Sequence, residues 1–211
     1  MEEKKDFIIE NVAFLFLRKG IRNVTMDRVA SDFGISKKTL YQYFSDKEAL
    51  VTAAIEYLIA TQGYDFNNPE IGNAIDMTID LRKRISPILK MYHHNMEGEL
   101  KKTYPLLHQR VHDFKRKRIF DNSMENLKLG ISQGLYRNDI DPFFISKLLL
   151  GRILYTMNPD FKIFEEYEVH STAFYDNILD YHMHAICSPE GLKYYKKVIN
   201  NLQNNAISEH S

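Results

Sequence analysis

A single cysteine and no tryptophan occur in the 211 residues. The lone thiol, Cys187, excludes an intramolecular disulfide, and a reducing compartment is expected. One such residue in a helical stretch reads as a small buried hydrophobe rather than a nucleophile. Six prolines, nine glycines and little β-branched alternation argue against a sheet-rich fold. No segment approaches the ~20 apolar residues of a membrane span. The N-terminal MEEKKDFIIENVAFLFLRKG flanks its short apolar run with charge on both sides, unlike a secretory signal. Charge of one sign is missing too, because 28 basic residues balance 28 acidic ones. No global field advertises nucleic acid, so any such claim rests on local charge. There is no Gly-rich phosphate loop, no HExxH and no GxSxG, and neither enzymatic activity nor a cofactor is expected. The expectation is a cytoplasmic protein with no membrane partner.

What is present is helical spacing. Hydrophobic residues make up 44% and charged residues 27%, the ordinary mix of a soluble globular chain. Ile9, Val12, Ala13 and Phe16 share one face of a helix over residues 4–19, and Gly20 suits its C′ position. Thr25 is an N-cap for a short helix ending at Gly34, and Ser36 caps the next, residues 37–43. Ser45 or Asp46 opens a fourth helix that runs to about Gly63. GYDFNNPEIGN then clusters Gly, Asn and Pro as a linker. Longer helical patterns follow over residues 70–96, with Pro87 a kink or break, and 105–134, with a break near Lys117. Three more cover residues 141–157, 168–186 and 189–203. The expected fold is all-α. Residues 1–50 form a three-helix helix-turn-helix domain, 51–66 a connecting helix and linker, 67–205 a second helical domain, and 206–211 a frayed tail.

The stretch GISKKTLYQYFSDKEAL carries the chemistry. Two short helices joined by a Gly-Ile-Ser turn match the helix-turn-helix, whose second helix enters the major groove. Ile35 and Leu40 pack inward. Lys37, Lys38, Thr39, Gln42 and Tyr43 then face outward. Lys37 can donate to guanine, and Thr39 can meet a thymine methyl. Tyr41 and Tyr43 can donate to phosphate. Thr25 and Lys47 sit at helix N-termini, which favour phosphate. From Arg18 to Lys47 there are seven basic residues against three acidic, a local positive excess in a neutral chain. Spacing alone also fits a three-helix bundle with a solvated basic face.

Residues 9–50 resemble the DNA-binding domain of the TetR family of bacterial transcriptional regulators. Ile9, Ala13, Phe16 and Gly20 match, as does NVTMDRVASDFGISKKTLYQYFSDKEAL with its LYxYFxxKExL signature. The resemblance covers about the first quarter of the chain. It implies a homodimer that binds double-stranded DNA at a palindromic operator, most commonly as a repressor. It also implies that a small-molecule effector in the C-terminal domain changes DNA binding. Carried over by position, Thr25, Ser36, Lys37, Lys38, Thr39, Tyr41, Tyr43 and Lys47 are the expected DNA contacts. Lys38 stands where many relatives have a small residue. A constitutive DNA-organising or protein-docking factor on the same fold is the alternative.

One recognition helix buries too little surface for tight specific binding, so self-association is expected. Phe144 and Leu148 on the helix after Pro142, and Phe174, Ile178 and Tyr181 on the next, offer apolar faces for a dimer or for intramolecular core. Tyr92, His93, Met96 and Tyr155 are candidate effector contacts, and equally candidates for ordinary core. The helix from Asp46 to Gly63 is the candidate lever between the domains. His108 and His112 share a helix face, yet no third ligand stands beside them, so no metal is expected. The basic run Lys115 to Arg118 reads as a solvated face.

Overall fold

The computed structural model describes residues 2–61, 71–91, 96–156, 161–169 and 171–208. Among these the chain folds in order as α1 (Glu2–Lys19), α2 (Met26–Asp32), α3 (Lys37–Tyr43), α4 (Lys47–Thr61), α5 (Ala74–Met91) and α6 (Met96–Thr103). Then come α7 (Pro105–Ser132), α8 (Pro142–Thr156), α9 (Glu166–Val169), α10 (Thr172–Ile186) and α11 (Pro189–Ser208). One isolated antiparallel bridge joins Tyr136 and Cys187. The fold is all-α. None of the described helices is long and apolar enough to cross a membrane. The chain divides into two compact units, residues 1–63 with 91–118, and residues 64–90 with 119–211.

The first unit is built on an apolar face of α1. Ile8, Val12, Ala13, Phe16 and Leu17 are buried, while Ile9 is half-buried at the edge of that face. α1 packs on α4, which buries Leu50, Val51, Ala54 and Ile55. Val29 and Ala30 of α2 and Leu40 of α3 close the core. Removing a ring such as Phe16 from this core costs about 3–5 kcal/mol. The turns follow from local chemistry. Gly20 and Gly34 take φ of 75° and 61°, left-handed conformations that a Cβ disfavours. Thr25 Oγ1 accepts the Arg28 N–H at 3.2 Å, and Ser36 Oγ accepts that of Thr39 at 3.0 Å. Asp46 Oδ1 accepts the Ala49 N–H at 2.8 Å and caps α4. This unit is larger than residues 1–50. It keeps all of α4 and takes in Met96, Leu100 and Leu107, because those side chains complete the same core.

The second unit packs Ile75 and Ile79 of α5, Leu127 of α7, Leu179, Met183 and Ile186 of α10, and Tyr195 of α11. A buried polar chain runs through it. Tyr136 Oη donates to Asn126 Oδ1 at 3.0 Å, and Asn126 Nδ2 donates to the Ala74 carbonyl at 2.8 Å. Gly130 makes room for the Tyr136 ring, which a Cβ at 130 would overlap. Cys187 is buried, and burial pushes its thiol up to about 12. Three expectations of element shape change. α7 continues through Lys117, α5 runs through Pro87, and Ser171 divides the 168–186 segment by capping α10. Residues 206–208 belong to α11, and 209–211 lie outside the described residues.

Candidate functional sites

The helix-turn-helix face belongs to the first unit. Gly34 N–H bonds back to the Ser31 carbonyl and Ile35 N–H to that of Ala30, so the chain turns tightly between α2 and α3. Leu40 points wholly inward and orients α3. Lys37, Lys38, Tyr41 and Gln42 are exposed, and Thr39 is half-exposed. Lys37 Nζ lies 2.8 Å from Asp27 Oδ1, an exposed pair that crosses from α3 to α2. The Asp27 carboxylate raises the Lys37 ammonium above its ordinary value, so this lysine stays cationic. The exposed pair is weak and yields readily to a phosphate or a base edge. Ser36 Oγ and Thr39 Oγ1 lie 2.8 Å apart and share a hydrogen bond at the start of α3.

Two of the expected contacts are placed differently from the rest. Tyr43 is half-buried against the core, whereas the Tyr41 ring is exposed. Lys47 donates its ammonium to the Ile21 carbonyl at 2.8 Å, and burial lowers its pKa. Lys47 thereby ties the start of α4 to the turn after α1. From the other side, Glu99 Oε2 accepts the N–H groups of Ile21 at 2.7 Å and Arg22 at 3.1 Å. Glu99 had no local signal in the sequence, since its partners lie nearly eighty residues away.

The second unit forms a partly open apolar cavity of about 180 Å³ between α5, α7, α8 and α10. Leu81, Ile85, Ile153, Phe174 and Ile178 supply apolar walls, and Arg152 and His182 also line it. Nε and Nη2 of Arg152 are buried and make no hydrogen bond among the described residues. Burial, with Arg152 as a second cause, lowers His182 to about 4, so its imidazole is neutral near pH 7. Neither Arg152 nor His182 was singled out from sequence. The available signal was one charge inside the apolar run LLLGRILY.

Two of the expected effector contacts, Met96 and Tyr155, are not among the residues that line this cavity. Met96 is buried in the core of the first unit, and Tyr155 is exposed and stacks on Phe161 at 4.6 Å. Tyr92 and His93 lie outside the described residues. Of the expected dimer contacts, Phe144, Leu148 and Tyr181 are exposed at 56%, 54% and 71%. Phe174 and Ile178 turn into the cavity, because α10 presents them on the side that faces the unit's interior. His108 and His112 stack with ring centroids 6.3 Å apart, and Glu97 comes within 3.8 Å of His108. No group of three or more metal-ligating side chains occurs among the described residues.

Comparison with known proteins agrees with the geometry of the first unit. Residues 8–54 match the N-terminal domain of the bacterial regulatory proteins of the tetR family. The HTH-type transcriptional regulator YerO of Bacillus subtilis (strain 168) is 41% identical over 70 residues. That alignment covers 33% of this chain and 24% of YerO, so the chain spans about a quarter of that relative's length. A transcriptional regulator from Cytophaga hutchinsonii superposes with a TM-score of 0.63 at 22% identity, covering 88% of this chain and 99% of that one. A TetR transcriptional regulator from Chloroflexus aurantiacus gives 0.63 at 15% identity, with 88% and 97% covered. These two likenesses extend the shared fold over both units. Residues 8–54 are thus a DNA-binding domain of the tetR family of bacterial regulatory proteins.

Proposed function

We propose that the protein is a homodimeric, effector-responsive transcriptional regulator, acting as a repressor on a palindromic operator. The observation that carries this reading is the α2–α3 turn, which leaves Lys37, Lys38, Tyr41 and Gln42 exposed on one short helix held by Leu40. Lys37 and Lys38 supply charge at the front of α3, where a recognition helix meets base edges. Thr25, Ser36, Thr39, Tyr41 and Tyr43 contribute phosphate or base contacts around it. Lys47 acts by holding the Ile21 turn in place.

Self-association is supported by Phe144, Leu148 and Tyr181, large apolar side chains exposed on α8 and α10. Two copies related by a two-fold axis read two half-sites whose spacing matches their recognition helices. The cavity supports effector control. An effector changes operator affinity only by the difference in its affinity for two states of the dimer. No catalytic step enters this reading.

Selection of binding sites from a random duplex pool tests it. Enrichment of a palindrome, with binding steeply weakened by salt and by Lys37→Ala, is the expected result. Enrichment of nothing, with weak binding indifferent to Lys37, would make the helix-turn-helix a scaffold. Operator binding that no cavity ligand alters would leave a constitutive DNA-binding factor.

A further inference from the structure

We propose that the cavity of the second unit takes an organic monoanion, a carboxylate carried on a compact apolar body, with Arg152 as its counter-charge. The inference rests on the effector-binding reading above and names the chemical class of the ligand.

Three observations carry it. First, Nε and Nη2 form one edge of the Arg152 guanidinium, and both are buried without a hydrogen-bond partner among the described residues. Two other arginines of the same unit show what that edge grips. Arg82 sets Nε and Nη2 on the two carboxylate oxygens of Asp176, and Arg137 sets the same atoms on Asp139. Arg152 presents the same planar fork, the geometry that matches a carboxylate bidentately. The Tyr181 ring lies 5.7 Å from Cζ of Arg152, a contact with the cation that gives the N–H groups no acceptor.

Second, no acidic residue is among the described residues that line the cavity. His182 is neutral near pH 7, so among the described lining residues the guanidinium is the one formal charge there. Arg152 as a whole is half-buried, but its Nε–Nη2 edge is shut off from solvent without an acceptor among the described residues, and an incoming carboxylate supplies one. A cationic ligand adds repulsion, and a neutral one leaves the cation uncompensated.

Third, other polar groups on the wall are already engaged. Asn126 bonds to Tyr136 and the Ala74 carbonyl, Ser123 accepts from Ser146, and Thr156 donates to the Arg152 carbonyl. The rest of the wall is mostly aliphatic and aromatic. About 180 Å³ is slightly more than the roughly 150 Å³ that holds a benzene ring in an engineered cavity. The apolar body is therefore about one substituted ring in size.

Calorimetric titration of the full chain without DNA tests this, with 4-isopropylbenzoate, its uncharged amide and the matching benzylamine as probes. The benzoate is expected to bind at least tenfold more tightly than the amide, and the amine not at all. In Arg152→Met the acid-to-amide ratio falls to about one with amide affinity retained, and Arg152→Lys restores part of the preference. Equal affinity for acid and amide in the wild type overturns the proposal and needs no variant. So does a preference that survives Arg152→Met, or an acid that fails to bind. If the acid binds through Arg152 but leaves operator affinity unchanged, the ligand class stands and effector control falls.

Discussion

Glu99 and Lys47 grip the same residue from opposite sides, the carboxylate on the Ile21 N–H and the ammonium on the Ile21 carbonyl. The turn that sets α2 against α1 is thus held by side chains from α6 and α4, in addition to its own glycine. Glu99→Gln keeps the shape and removes the charge from two hydrogen bonds. A loss of about 1–2 kcal/mol is expected, measured by urea unfolding. Glu99→Ala strands the Ile21 N–H and costs more. An unchanged midpoint for both variants would show that solvent serves the turn equally well.

Lys37 and Lys38 differ from Lys47 in a way that salt titration separates. Each phosphate contact contributes about one unit to the slope of log affinity against log salt. If Lys37 meets phosphate, Lys37→Ala flattens the slope by about that amount. If it reads guanine, the variant costs about 1–3 kcal/mol at one operator position and relaxes specificity there. Lys47→Met leaves the slope unchanged while lowering stability, because its ammonium is committed to the Ile21 carbonyl. A flattened slope in Lys47→Met would return that residue to the DNA surface.

Gly130 is a packing requirement of the second unit. A Cβ there would overlap the Tyr136 ring, which is itself buried and held by Asn126. Gly130→Ala forces the ring or α7 to move and is expected to cost more than about 2 kcal/mol, against the gain in helix propensity that alanine normally brings. Tyr136→Phe keeps the packing and removes the shorter of two hydrogen bonds to the Asn126 oxygen, leaving Thr78 Oγ1 at 3.4 Å, for a loss of about 1 kcal/mol. Thermal unfolding that ranks Gly130→Ala as neutral would contradict the packing described.

Much of the first unit was legible because its signals are local. Thr25, Ser36 and Asp46 sit at their caps, Gly20 and Gly34 take the left-handed turns, and Leu40 marks the buried side of α3. The cavity was not legible, because it exists only where faces of α5, α7, α8 and α10 converge. Phe174 and Ile178 were apolar at helical spacing, and that pattern does not say whether a face meets a partner chain, a core or a cavity. Arg152 in an apolar run reads locally as a surface charge, and only the folded chain shows its Nε–Nη2 edge shut off from solvent and without a partner among the described residues. Glu99 bonds to residues nearly eighty positions away, and no periodicity reports such a partner.

His182 gives the second unit a pH signature of its own. Burial, then the Arg152 charge, holds its pKa at about 4, against about 6.5 in an unfolded chain. The unfolded state therefore takes up the proton first as pH falls. Stability from this group is full above about 6.5, declines below that value, and levels off beneath about 4, where both states are protonated. Arg152 is the charged residue that faces His182 in the cavity lining, so protonation would set two cations together in an apolar wall. His182→Gln removes the titration while retaining a polar side chain of similar size. Urea midpoints measured from pH 7 to pH 4 should fall more steeply in the wild type than in the variant, by of the order of 2 kcal/mol across the window. Parallel curves would mean that His182 meets water in the folded state and that the cavity carries more than one charge near its protonation point.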